Sequence, residues 1–195
     1  MSTLSGTKIK DTYSGLLKTT DNAALSGTLK AVTDGAGNAS GLELSSSYMR
    51  ATNGILFGTD TAAENILDDY EEGTYTPIIS SATNLSGTLT GVGRYTKIGK
   101  LVTISVVVSG ASITSASTET SFGVSLPFTA HATSHSSVGI ASIIAGSGSN
   151  RFGAGAVTNG SSSVSETFVF FRGGEIANSG SVGWIRLSYQ YESYL

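Results

Sequence analysis

The chain has 195 residues, among them 32 serines, 24 threonines and 25 glycines, with only 13% charged side chains and a formal net charge of −3. It has no cysteine and two histidines, His131 and His135, which excludes a disulfide-stapled scaffold and a Cys-ligated metal or redox site. A hydrophobic content of 39% at low charge argues against disorder, and a pI near 5.3 without a basic cluster argues against a nucleic-acid partner.

The segment Met1 to Lys8 lacks the apolar run of roughly 7 to 15 residues that a secretory leader carries, and no apolar run approaches the roughly 20 residues needed to cross a bilayer. The expectation is a protein made in a cytoplasm, without membrane insertion. Charge divides the chain into three parts. Residues 1–59 hold five basic and four acidic side chains, residues 60–75 hold six acids and no base, and residues 76–195 hold six bases and four acids.

Along residues 1–59, glycines interrupt an apolar-poor sequence at short intervals. Alternating stretches from Ile9 to Leu17 and from Leu25 to Val32 read as half-buried strands. Asp34-Gly35-Ala36-Gly37-Asn38 is a turn signal, because glycine accepts positive φ and Asp or Asn bonds to nearby backbone. So polar a segment cannot bury a core alone. It is either a flexible tail or a strand-rich stem that is stabilised by winding with its own copies or by docking on another protein.

Residues 60–74 form an acidic junction. Thr61-Ala62-Ala63-Glu64 matches a capping box, and Ile66, Leu67 and Tyr70 follow at helical spacing. The pattern predicts a helix of two or three turns ended by Gly73.

From Tyr75 the pattern is β throughout. Val102, Ile104, Val106 and Val108 share one strand face and must be core, as must Ile185, Leu187, Tyr189 and Tyr191, opposite Trp184, Arg186, Ser188 and Gln190. Phe168-Val169-Phe170-Phe171 is apolar on both faces, which predicts a strand covered on both sides, by a second sheet or by a neighbouring subunit, and Phe168, Phe170 and Phe171 are the candidates for a subunit interface. Further strands are expected near 75–80, 85–90, 93–98, 121–126, 138–145 and 154–158. The fold class is all-β: an extended strand-rich stem followed by an antiparallel, jelly-roll-like β-sandwich head over 75–195.

Three blocks carry a resemblance. Asn65 to Pro77 (NILDDYEEGTYTP), Gly93 to Val102 (GRYTKIGKLV) and Leu126-Pro127-Phe128 resemble a module recurrent in tail-fibre and other appendage proteins of tailed bacteriophages. Lys10-Asp11-Thr12-Tyr13, Leu16 to Thr19 and Asp21 to Ala24 resemble the segment that often precedes that module in phages of marine bacteria. Tyr75 stands where the module has tryptophan, and Lys100 where it has asparagine. The resemblance implies a homotrimeric structural protein on the virion exterior. Its residues 1–59 would form the stem or dock on other virion proteins, and its head would meet a glycan or protein of the host surface.

Catalytic chemistry finds little footing. His131 and His135 lie in a polar stretch that reads as a loop, and no Gly-x-Ser-x-Gly elbow occurs. Stacked by three-fold symmetry, either histidine could ring a metal, but no second ligand stands at the necessary spacing. Asp68-Asp69-Tyr70-Glu71-Glu72 lacks the register of a calcium loop and reads as a solvated junction rather than a calcium site or glycosidase pair. Gly35-Ala36-Gly37 and Gly153-Ala154-Gly155 are turns, without the residues of a phosphate cradle. No catalytic residue, metal or cofactor is expected.

The candidate ligand surfaces are Trp184 with Arg186, as an aromatic platform for a sugar or a subunit contact, and the loop residues Asn150, Arg151 and Phe152. Adhesion by an appendage is the first functional reading. A capsid or tail decoration or linker protein without receptor binding is the alternative, and a polysaccharide-degrading enzyme is disfavoured for want of a placed acid pair.

Overall fold

A computed structural model describes residues 13–59, 61–115, 119–131, 138–145, 154–159, 166–171 and 180–194. The chain divides into two compact units, Met1–Asp68 and Asp69–Leu195. Regular structure among the described residues is antiparallel β, apart from 3-10 turns at Tyr13–Gly15 and Ala63–Asn65.

The first unit holds a four-stranded meander of β1 (Lys18–Thr19), β2 (Lys30–Thr33), β3 (Ala39–Leu44) and β4 (Met49–Ala51), in that spatial order. The β2–β3 turn is the one the sequence announces. The Asp34 carboxylate accepts from the Asn38 backbone N–H at 2.8 Å and side-chain amide at 2.7 Å, while Gly37 sits at φ +94°. The strands are shorter than alternation predicts. Within Ile9 to Leu17 the described residues make a 3-10 turn and no strand, and the Leu25 to Val32 stretch becomes strand only at Lys30. Lys30 is fixed there by Asp21 (2.8 Å) and the Ala24 carbonyl (2.8 Å).

The junction helix is not formed. Only Ala63–Asn65 turns, its N-cap is Ala62 without a side-chain cap bond, and Ile66 is already extended. Leu67 bridges back to Ile55 through two backbone hydrogen bonds of 2.9 and 3.0 Å. Gly73, expected as a helix stop, lies inside a strand, β5 (Tyr70–Tyr75). Pairing with a long neighbouring strand outweighs a helical preference spread over two turns.

The second unit continues with β6 (Ile79–Thr83), β7 (Leu85–Ser86), β8 (Thr90–Ile98), β9 (Leu101–Ser109), β10 (Ser112–Ile113), β11 (Thr120–Ser125), β12 (Val138–Ala145), β13 (Ala154–Asn159), β14 (Glu166–Phe171) and β15 (Gly180–Glu192). Nine of them form one hydrogen-bonded path, β5-β8-β9-β15-β12-β13-β14-β11-β6, with β10 joining β15 to β7. The two ends of that path, β5 and β6, are separated in sequence only by residues 76–78. The four Cα steps from Tyr75 to Ile79 span at most about 14 Å, so the sheet must roll until its edges come close. Pro77 is buried at this corner, where lack of an N–H costs no ladder bond, and it lies over Gly91, where a Cβ would come within 2.5 Å of its ring.

Rolling brings the inner faces together in one core. Val102, Ile104, Val106 and Val108 of β9 and Ile185, Leu187, Tyr189 and Tyr191 of β15 are buried as alternation predicts. Phe122 and Val124 of β11 and Val169 and Phe171 of β14 belong to the same core, each fully buried. Phe171 is therefore a core residue of its own chain and not part of a surface facing another subunit.

Residues of β5, β8 and the segment Leu126-Pro127-Phe128 meet at one inner corner. Lys97, 5% exposed, pairs with Asp69 of the next strand's approach and lies 5.7 Å from the Phe128 ring centroid. The Tyr95 hydroxyl donates to Glu71, and its ring meets Phe128 edge-on at 5.1 Å. Tyr191 donates to the Phe128 carbonyl at 3.0 Å. These signature residues build the fold. The acid cluster is solvated as expected at Asp68, Tyr70, Glu71 and Glu72, which are exposed, and only Asp69 is half-buried, against Lys97.

Candidate functional site

Alternation leaves the other face of β8, β9 and β15 outward, and the register assigns its rows. Arg94 lies opposite Ser105, Ser105 opposite Ser188, and Ser188 opposite Ile140. One row away, Glu72, Thr96, Thr103 and Gln190 stand side by side, with Gln190 donating to the Thr103 hydroxyl at 3.0 Å. On the other side Val92, Val107 and Arg186 align.

These side chains line a shallow polar trough. Glu72, Thr74, Arg94 and Thr96 enclose about 440 Å³ between β5 and β8. A smaller hollow of about 150 Å³ continues over Thr103, Ser105 and Ser188 on β9 and β15. Five hydroxyl side chains, Thr74, Thr96, Thr103, Ser105 and Ser188, are among the lining residues.

Trp184 and Arg186 line neither hollow; they follow Ser188 along the same exposed face of β15. Trp184 is 48% exposed, and the Arg186 guanidinium carbon lies 5.8 Å from its ring centroid. The pairing is a cation–π contact on the exposed face of the strand. From strand spacing and rise, Arg94 lies about 12 Å from Arg186 and about 16 Å from Trp184. Arg94 and Arg186 join no ion pair among the described residues; the three present are Lys30–Asp21, Arg50–Glu43 and Lys97–Asp69.

The sequence pointed to Trp184 and Arg186 but missed Arg94, Glu72 and the hydroxyl rows. The available signal was the even-numbered face of β8, Val92-x-Arg94-x-Thr96, whose register against β15 sequence alone does not fix. Asn150, Arg151 and Phe152 lie outside the described residues, as do His135 and the side chains of Phe168 and Phe170. His131 stacks on Tyr194 at 4.6 Å, and its backbone N–H donates to the Glu192 carbonyl at 2.7 Å. Among the described residues no group of three or more His, Asp or Glu gathers as metal ligands, and no helix is long and apolar enough to cross a membrane.

Titration is perturbed in places. The Lys30 contact, with the Ala23 backbone N–H, draws Asp21 down to about 2, and Asn38 lowers Asp34. Burial pushes the Tyr75 and Tyr191 phenols upward, and hydrogen bonds to Glu72 and Glu71 raise Tyr70 and Tyr95.

No protein-family model matches the chain, and no curated protein matches it. Among solved structures, avian reovirus sigmaC117-326 in its C2 crystal form is similar, with a TM-score of 0.51 over 78% of this chain and 77% of that one, at 7% identity. At that identity the likeness is one of fold.

Proposed function

We propose that this chain is a structural protein of a bacteriophage virion, an appendage subunit that presents its β head to a host surface and performs no catalysis. The observation that carries the reading is the fold likeness to a protein of avian reovirus, which supports a viral role for the architecture. The three module blocks point the same way, toward the appendages of tailed phages.

Self-association follows from the first unit. Its described residues bury one large apolar side chain, Val32, while Leu16, Leu17, Tyr48, Met49, Leu56 and Phe57 are each 44% exposed or more. A four-stranded sheet with so small a core is not stable alone. Further copies of the same chain, three in this reading, would cover those side chains, and other virion proteins would hold the far end of residues 1–59. Unfolding then requires dissociation, which suits a protein displayed outside a cell. Trp184 and Arg186 on the exposed face of the head are the contact residues, and weak sites gain strength from their number.

Antibody raised against the chain tests the location. Labelling of intact particles at the tail or its fibres supports the appendage, whereas labelling spread over the capsid without loss of host adsorption supports a decoration protein.

A further inference from the structure

We infer that the outer trough of the head is a binding site for an anionic polysaccharide, with Arg94 and Arg186 taking its acidic groups and Trp184 stacking on a sugar face. The inference rests on the adhesive reading and names the class of ligand.

Three features of the trough select that class. First, it is open and long rather than closed. The hollows of about 440 and 150 Å³ run across β5, β8, β9 and β15, which suits a chain polymer lying on the sheet better than an enclosed small molecule. Second, its lining is hydroxyl-rich. Thr74, Thr96, Thr103, Ser105 and Ser188 donate and accept, as sugar hydroxyls do, and Glu72 is an acceptor for them. Third, the face carries two cations outside any carboxylate pair, Arg94 in the trough and Arg186 beside the Trp184 ring. Arg94 and Arg186 meet no carboxylate among the described residues, although the chain is acidic overall and its other described ion pairs sit elsewhere.

A guanidinium held on a rigid strand presents parallel N–H donors that match a carboxylate or sulfate in a bidentate fork. The spacing of about 12 Å between the two arginines suits acidic groups on separate rings of one chain. Glu72, at the β5 end, disfavours an acidic group there and sets direction: the charged rings lie toward β15, and uncharged hydroxyls face Glu72. The indole of Trp184 completes the far end, with apolar Ile140 exposed on the adjoining strand.

The full-length chain is titrated calorimetrically with three probes of similar length: a galacturonate oligosaccharide, a sulfated dextran oligosaccharide and a neutral glucan oligosaccharide. Binding to either acidic probe and not to the neutral one is expected, weakening at least tenfold as salt rises from about 50 to about 500 mM. The two acidic probes distinguish carboxylate from sulfate. Arg94→Gln and Arg186→Gln should each weaken binding about tenfold while leaving the melting temperature unchanged, because both side chains are exposed. Equal binding to neutral and acidic probes, no binding to any, or arginine variants that bind as the parent does would each overturn the inference. A chain that binds no acidic probe yet still blocks phage adsorption would leave adhesion standing; one that does neither removes both.

Discussion

Tyr95 lies across Gly73 of the neighbouring strand: a Cβ placed at position 73 would come within 2.7 Å of the Tyr95 hydroxyl oxygen. The arrangement is reciprocal, because Tyr75 lies across Gly93, where a Cβ would meet its ring at 2.3 Å. Two aromatics of adjacent strands thus cover each other's glycines and meet edge-on at 6.4 Å. Ring and glycine together close the first edge of the rolled sheet, and the glycines are required for space, not for turning.

Gly93→Ala should therefore destabilise the head by about 1–3 kcal/mol, since the ring it displaces is partly buried. Gly73→Ala should cost less, because the obstructing atoms are the outer end of the Tyr95 phenol. Chemical denaturation of both variants checks the order.

Tyr75 carries a buried hydroxyl without a hydrogen-bond partner, whereas the Tyr191 hydroxyl donates to the Phe128 carbonyl. Tyr75→Phe should raise stability by about 1 kcal/mol, and Tyr191→Phe should lower it by a similar amount. Opposite shifts in the denaturation midpoint are the expected result.

Much of the head is legible in the sequence because β9 and β15 are long and alternate cleanly, so period two alone assigns their inner faces. The corner around Lys97 is not legible. Its partner Asp69 stands 28 residues away in a cluster that looks solvated, and nothing local tells a buried lysine from an exposed one. The two-sided apolar run of β14 leaves open whether a second sheet or a neighbouring subunit covers Phe171, and rolling of the chain's own sheet supplies the cover. The proposed binding face is half legible: Trp184 and Arg186 share a strand, but Arg94 joins them only through the register of β8 and β9.

Lys97 is nearly buried, with Asp69 and the Phe128 ring as its charge partners. Asp69→Asn should cost about 2 kcal/mol or more by leaving the ammonium underpaired, while Lys97→Met combined with Asp69→Asn should recover part of that loss. A double-mutant cycle followed by thermal melting reads the coupling.

Acid should loosen the first unit before the head. Asp21 and Asp34 have folded-state pKa values below the usual 3.8, Asp21 at about 2, so their contribution is complete above pH 4 and is lost as pH falls toward 2. Asp21→Asn should flatten that dependence, monitored by circular dichroism of the full chain from pH 5 to about pH 2. At the alkaline end the raised phenols of Tyr75 and Tyr191 act in the opposite sense. Burial keeps both phenols protonated in the folded head, so stability is unaffected by them below pH 10 and falls as pH rises above it.

The central claim is that the head adheres to a host surface on behalf of a virion. Its most direct test is competition, in which purified full-length chain is added to host cells before infection and free phage is counted over time. The account predicts a dose-dependent fall in the adsorption rate, abolished in the Arg94→Gln/Arg186→Gln double variant. An adsorption rate unchanged at saturating, correctly folded chain would contradict it.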